Sequence, residues 1–221
     1  MTLQDKRTNV TQDANKRPPP ELLQKSTIAR QLDEKWHTLN PHIRERFKQD
    51  PDHSETIEYT GIMDIIRRSK MGWLFAYLTR IIGNPLSPYE GQDVRMDVLL
   101  YKKPNQSGTY WQRTYFYEGK SPFTVTSVKR EGKNGEMMEC VGGGFGMLLD
   151  VYHTGNELHF KSTRYFCEIL GLRIPLPHWL SPGQTHVIHR DIDKNNFIFE
   201  ITMYHQQLGE TFYQIGTFQK K

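Results

Sequence analysis

The sequence predicts an α+β fold in which N-terminal helices pack on a curved antiparallel β-sheet, a half-barrel or barrel of about eight or nine strands. Three observations lead there. From Asp93 to the C-terminus, short alternating segments are separated by tight polar turns. Helical spacing of apolar residues is confined to the stretch before Asn84. An antiparallel sheet of that many strands curls or closes, which leaves a concave face.

Taken in order, residues 1–20 are polar and end in Arg17-Pro18-Pro19-Pro20, too poor in apolar side chains to order themselves, and are expected to be a disordered tail. Residues 21–221 then form a single α+β domain, helical over 21–84 and sheet over 93–219. Glu21 to Trp36 carries Leu22, Leu23, Ile28, Ala29, Leu32 and Trp36 as an apolar stripe. Asn40-Pro41 starts a second helix through Phe47, with proline suited to the first turn, and Asp50 to Asp52 ends it. The strongest helical pattern is Ile62 to Ile82. There Met63, Ile66, Leu74, Tyr77, Leu78 and Ile81 recur at steps of three and four, Gly72 is the weak point, and Gly83-Asn84-Pro85 is the stop.

The strands follow. Val94, Met96, Val98 and Leu100 alternate with polar neighbours, Tyr110 to Glu118 returns, and Phe123 to Arg130 makes a third. Met137 to Val141 and Phe145 to His153 come next, then a hairpin turn at Thr154-Gly155-Asn156 leads into Glu157 to Glu168. Gly171 to Pro182, rich in proline, reads as a loop or a short edge segment that caps an opening. His186 to Ile192, Phe197 to His205 and Thr211 to Phe218 complete the set.

Composition narrows the function classes. In 221 residues the charged fraction is 24%, the hydrophobic fraction 36% and the net charge +4, with Lys and Arg spread along the chain rather than gathered in a stripe. That argues against nucleic acid as a partner. The longest apolar run, Met71 to Ile82, is too short to span a bilayer and contains Arg80, and no apolar leader opens the chain. Two cysteines, Cys140 and Cys167, lack metal-ligand spacing and read as free thiols of a cytoplasmic protein. No cofactor signature is present.

Three motifs fail their context. His189-Arg190-Asp191 with Asn196 matches the kinase catalytic loop, but only 25 residues follow Asn196 and none supplies the metal-binding D-F-G. Gly142-Gly143-Gly144 lacks the lysine and helix of a phosphate loop and reads as a sharp bend. Among nine histidines, His186 and His189 fall on opposite strand faces, and His153 and His159 flank a hairpin turn across which they could come close.

The candidate site is the segment Tyr110 to Tyr117. Trp111, Arg113, Tyr115 and Tyr117 share one strand face, and an arginine among aromatics can hold a carboxylate or phosphate while the rings hold an apolar body. Arg113 can equally be a structural partner of Glu139. Phe116 lies on the opposite face, so the sequence leaves open which face is concave. A second candidate surface is Arg67, Arg68 and Lys70 followed by Trp73, a basic-then-aromatic order found in helices that dock on a membrane or a partner.

Several segments together resemble a known family. Leu39-Asn40-Pro41-His42-Ile43-Arg44-Glu45-Arg46-Phe47, Tyr59-Thr60-Gly61-Ile62-Met63-Asp64 and Trp111-Gln112-Arg113-Thr114-Tyr115 occur in that order. With Glu139, Ile174-Pro175-Leu176-Pro177, Leu208-Gly209 and Gly216 they resemble a bacterial domain of unknown function, over roughly residues 30–219. Members stand alone or are fused behind a saccharopine-dehydrogenase-like reductase domain. The resemblance implies a compact bacterial domain and a reductase as partner, and carries over no catalytic residue. The chain has no dinucleotide fingerprint of its own, and Tyr213-Gln214-Ile215-Gly216 departs from the family's closing motif.

The leading expectation is therefore a non-catalytic domain that binds a small amphipathic or lipid-like ligand on a curved sheet. The alternatives are an enzyme on a small carbonyl or lipid intermediate beside a reductase, and a membrane- or partner-docking module.

Overall fold

The computed structural model describes residues 26–83 and 86–221. The tail expected over 1–20, the first turn of the helix expected from Glu21, and Asn84-Pro85 lie outside the described residues.

Among the described residues eleven antiparallel strands build the fold: β1 (Ile57–Arg68), β2 (Gly91–Tyr101), β3 (Thr109–Phe116), β4 (Phe123–Glu131), β5 (Met137–Gly142), β6 (Phe145–Thr154), β7 (Glu157–Ile169), β8 (Leu172–Pro175), β9 (Gln184–Asp191), β10 (Asn196–His205) and β11 (Gly209–Lys220). Ten of them close into a barrel. Chain neighbours pair in turn, β7 is followed around the ring by β9, and the ring closes where β1 meets β11. β8 lies outside it, bonded only to the end of β7. It is the edge segment expected between Gly171 and Pro182.

The expected count of eight or nine strands is corrected to ten, and the extra strand is β1. It occupies the first part of the stretch read as one long helix. A bulge explains the misreading. The register slips between Met63 and Ile65, so Met63 and Ile66, three residues apart, both face inward. The α-helix of that stretch is α3, Lys70–Leu78, continued by a 3-10 turn over Thr79–Ile82, and Ser69 rather than Gly72 marks the break. Its Oγ accepts from the Gly72 amide at 3.1 Å. Helices are thus few and not all N-terminal: α1 (Thr27–Leu32) and α2 (Pro41–Phe47) precede the barrel, whereas α3 interrupts its first hairpin.

α1 and α2 plug one end. Ser26 caps α1 through the Ala29 amide, and Asn40 caps α2 through the His42 amide at 2.8 Å. Asp191, at the end of β9, accepts from His42 at 2.9 Å and Arg46 at 3.4 Å, which fixes α2 to the rim. Leu32, Trp36, Leu39, Ile43 and Phe47 then enter the core, with Phe47 edge-on to the His189 ring at 5.1 Å. The other end receives α3, held to β11 by the Ser69 amide on the Thr211 carbonyl at 3.1 Å.

The closing seam is tight because two glycines stand on it. A Cβ on Gly61 would meet the Phe218 ring at 2.5 Å, and one on Gly216 would lie 2.3 Å from the Ile62 carbonyl. Backbone cannot rotate away as a side chain can, so Gly216→Ala must spread β1 from β11. The expected loss exceeds the roughly 1–3 kcal/mol of ordinary overpacking. At about 2–4 °C per kcal/mol for a chain of this size, a thermal melt should fall by several degrees. An unchanged midpoint would show that the seam yields without cost.

Candidate functional site

Inside the barrel every second residue faces the axis. On β3 that phase selects Thr109, Trp111, Arg113 and Tyr115, all buried, and leaves Tyr110, Gln112, Thr114 and Phe116 outside. The concave face is thus the Arg113 face. β4 contributes Val125, Ser127 and Lys129, β5 contributes Glu139, and β11 contributes Phe212, Gln214 and Phe218. The α1–α2 plug fills one half of this interior. In the other half remains a cavity of about 310 Å³.

The cavity has apolar walls and a polar floor. Val125, Phe145, Met147, Val187, Ile201, Met203 and Phe212 line it, with Phe75 and Leu78 of α3 and Leu176 and Leu180 beyond β8 at its mouth. Arg113, Ser127, Glu139 and Gln214 make the floor. Beside the mouth the barrel wall is thin. β7 pairs with β9 over Glu157–Lys161 and with β8 over Phe166–Ile169, and between these stretches side chains bridge the gap. Ser162 Oγ accepts from the Thr185 amide at 2.8 Å, and Tyr165 Oη donates to the Gly183 carbonyl at 2.9 Å.

Glu139 organises the floor. Its carboxylate takes the Ser127 hydroxyl at 2.6 Å, the Lys129 ammonium at 3.0 Å and the Arg113 guanidinium at 3.6 Å, and Arg113 also donates to Ser127 at 3.2 Å. Lys129 lies over the Trp111 ring at 4.5 Å, on the side of the plug. Burial alone would raise the carboxyl, but Lys129, Arg113 and Ser127 together outweigh it and hold Glu139 down at about 2. Burial, reinforced by Arg113, pushes the Lys129 ammonium down to about 8 against the pull of Glu139. The His189 imidazole is driven well below its ordinary value by burial and by Arg46, Lys129 and Arg113, and adds no charge near neutrality. Two cations therefore share one carboxylate.

Gln214 is the second notable group. It is fully buried and lines the cavity; its Oε1 accepts from Tyr115 Oη at 3.1 Å, and its Nε2 has no protein partner. Either orientation of the amide leaves one end unpaired, because the tyrosine hydroxyl can donate or accept. Such an orphan costs about 1–3 kcal/mol unless something bonds to it.

The five residues expected at the site all face inward, but they divide. Arg113, Tyr115 and Glu139 line the cavity. Trp111 packs against the plug, 6.4 Å from Phe47, and Tyr117 bonds Ser87 at 2.7 Å. Arg113 and Glu139 are partners, the structural alternative foreseen for them, and still front the cavity. Ser127, Lys129 and Gln214 were missed. Their signal was a polar side chain at an inward position, between Val125 and the plug on β4 and between Phe212 and Gly216 on β11. At the second candidate surface, Arg67 pairs with Glu210 at 2.8 Å and Arg68 with Glu90 at 2.9 Å, while Lys70 and Trp73 are exposed. Among the described residues no three His, Cys, Asp or Glu side chains are placed to hold a metal. His159 is taken up by Thr154 at 2.7 Å and His186 at 3.1 Å. No helix among the described residues is long and apolar enough to cross a membrane.

Chemically the floor is suited to fixing charge. A base works best near the operating pH, and Glu139 is held far below it, while Lys129 fronts a gap of only about 20 Å³ beside the plug rather than the cavity.

The model of a family described as a domain of unknown function (DUF4166) matches residues 39–218. Among relatives, a protein of Bacillus subtilis (strain 168) described as uncharacterized protein YndH is 27% identical over 194 residues, 84% of this chain and 93% of that protein.

The surplus of positive charge has a signature. Glu139→Gln leaves two buried cations unpaired and should cost about 3–5 kcal/mol. Arg113→Met leaves Lys129 and Glu139 matched and should cost clearly less. Because the folded carboxyl titrates below its ordinary 4.5, its contribution is present above pH 4.5 and is lost as pH falls toward 2. Urea unfolding across that window should show a loss of about 3 kcal/mol in the native protein. In Glu139→Gln the loss over the same window should be smaller by that amount. Equal slopes would mean that Glu139 is not the buried anion described.

Proposed function

The chain belongs to the DUF4166 family, and within it we propose that this protein is a binding protein for a small amphipathic ligand with one chain and one acidic or carbonyl head. The observation that carries the proposal is the cavity's polarity: apolar walls over a floor with a surplus cation and an unpaired amide. A carboxylate at the floor gives Arg113 its own counter-ion and accepts the free Gln214 N–H. Both groups are already positioned by the barrel, so little ordering cost accompanies binding. The tail then runs along Val125, Ile201, Met203 and Phe212 toward Leu78 and Leu180.

Size supports a single chain. Ligand pockets run from about 300 to 1,000 Å³, and 310 Å³ lies at the bottom of that range. A two-chain lipid is too large for the enclosed space. Burying the head deep and the tail outward also matches the thin wall, which opens beside the mouth rather than at the floor.

Native mass spectrometry of the purified protein should show one amphiphile per chain, released by organic extraction and identified as a single-chain acid or ester. Displacement of a fluorescent fatty-acid probe then tests the contacts. Arg113→Met should weaken the probe at least tenfold, since bonds to charged groups are worth about 1.5–3 kcal/mol and each 1.4 kcal/mol is tenfold. Gln214→Leu should weaken it by roughly as much, and Ile201→Phe, which fills the cavity, should abolish it. Unchanged affinity in Arg113→Met would remove Arg113 as the head-group anchor.

A further inference from the structure

At the cavity end, α3, the β7–β8–β9 connection and the β10–β11 turn carry exposed apolar side chains. β1 ends there, and so do the β7–β8 and β10–β11 turns, because in an antiparallel barrel alternate connections share an end. On α3, Trp73 is 43% and Leu78 59% exposed; at the β7–β8 tip Leu170 is 98% exposed; in the short turn His178–Leu180, Trp179 is 66% exposed. Leu172 and Leu180 are exposed as well. The opposite end, where α1 and α2 sit, has no comparable group among the described residues apart from Ile192.

We infer that this end docks on a lipid bilayer, with Trp73, Leu78, Leu170, Leu172, Trp179 and Leu180 entering its interfacial zone. The inference rests on the cavity reading for the identity of the occupant. Leu78 and Leu180 belong both to the exposed rim and to the cavity lining, so whatever covers the rim continues the cavity. A single-chain amphiphile whose tail points to that mouth has its reservoir in a membrane, and a bilayer gives the tail an unbroken apolar path. Tryptophan is the side chain best suited to such a boundary, with an apolar body and one polar N–H. Three separate protrusions surround the mouth, and a leucine almost wholly exposed at a turn suits a fluid surface that needs no matching shape. Large apolar side chains left exposed together at one end of a protein mark a contact site.

The contact is apolar rather than electrostatic. Of the basic groups at this end, Arg67 and Arg68 are held by Glu210 and Glu90, Arg173 by Glu136 at 2.6 Å, and Arg80 lies over the Tyr77 ring at 5.2 Å, which leaves Lys70 on α3 exposed. Binding is accordingly expected on neutral lipid and insensitive to salt, in contrast to basic amphipathic helices.

Co-sedimentation with phosphatidylcholine vesicles, at low and high salt, tests this. The native chain should pellet with neutral vesicles at both salt concentrations. Leu170→Ser with Trp179→Ser should reduce the bound fraction at least tenfold while circular dichroism and melting stay unchanged, since both side chains are exposed. Ile201→Phe should still bind vesicles while losing the fatty-acid probe, which separates failure of the docking from failure of the cavity. Absence of vesicle binding overturns the inference, as does binding confined to anionic vesicles and lost in salt. A dimer in analytical ultracentrifugation that the double substitution abolishes, without vesicle binding, assigns the rim to a second copy and also overturns it.

Discussion

The structure depends on the pairing of β1 with β11. Every other strand contact joins segments close in the chain or one step removed, and these would give a curled sheet with two free edges. Registering Tyr59 against Lys220 through Arg68 against Phe212 removes both edges at once. The fit is made by shape: Phe218 lies over Gly61, and Gly216 leaves room for the Met63 backbone. Once this seam is closed, the direction of every side chain follows, because strand alternation and a closed ring allow only one inside.

Closure creates an electrostatic problem, and the floor of the cavity is its solution. An inward phase that carries Arg113, Lys129 and Glu139 puts three ionised groups where water is scarce, and an isolated buried charge costs several kcal/mol. Glu139 sits between the two cations and takes a hydroxyl as well, which makes the cluster tolerable without neutralising it. The remaining positive charge faces the cavity. Under the proposed function stability and binding are linked here, since an anion bound at this floor would also stabilise the fold.

The two ends of the barrel do different work for a physical reason. α1 and α2 bring bulky side chains that fill one end to core density, whereas α3 approaches with Gly72 against the Thr211 carbonyl and lies across the opening rather than entering it. The thin stretch of wall at Ser162–Tyr165 lies beside that opening, closed by side-chain bonds in place of a continuous ladder. Few backbone bonds cross it, so local opening is easiest there.

The sequence by itself determined nine of the ten barrel strands, the two plug helices, the shared strand face of Trp111, Arg113 and Tyr115, and the family. These are local matters of alternation, capping and turn chemistry, written in neighbouring residues. β1 escaped because its bulge at Asp64 gives Met63 and Ile66 a spacing of three, which mimics a helix until β11 is beside it. Which face is concave, that Arg113 and Glu139 share the floor with Lys129, and that Gln214 is left unpaired were decided only by the tertiary structure. Each depends on residues far apart in the chain, such as Tyr115 and Gln214, whose meeting is fixed by the closure of the ring and by nothing local.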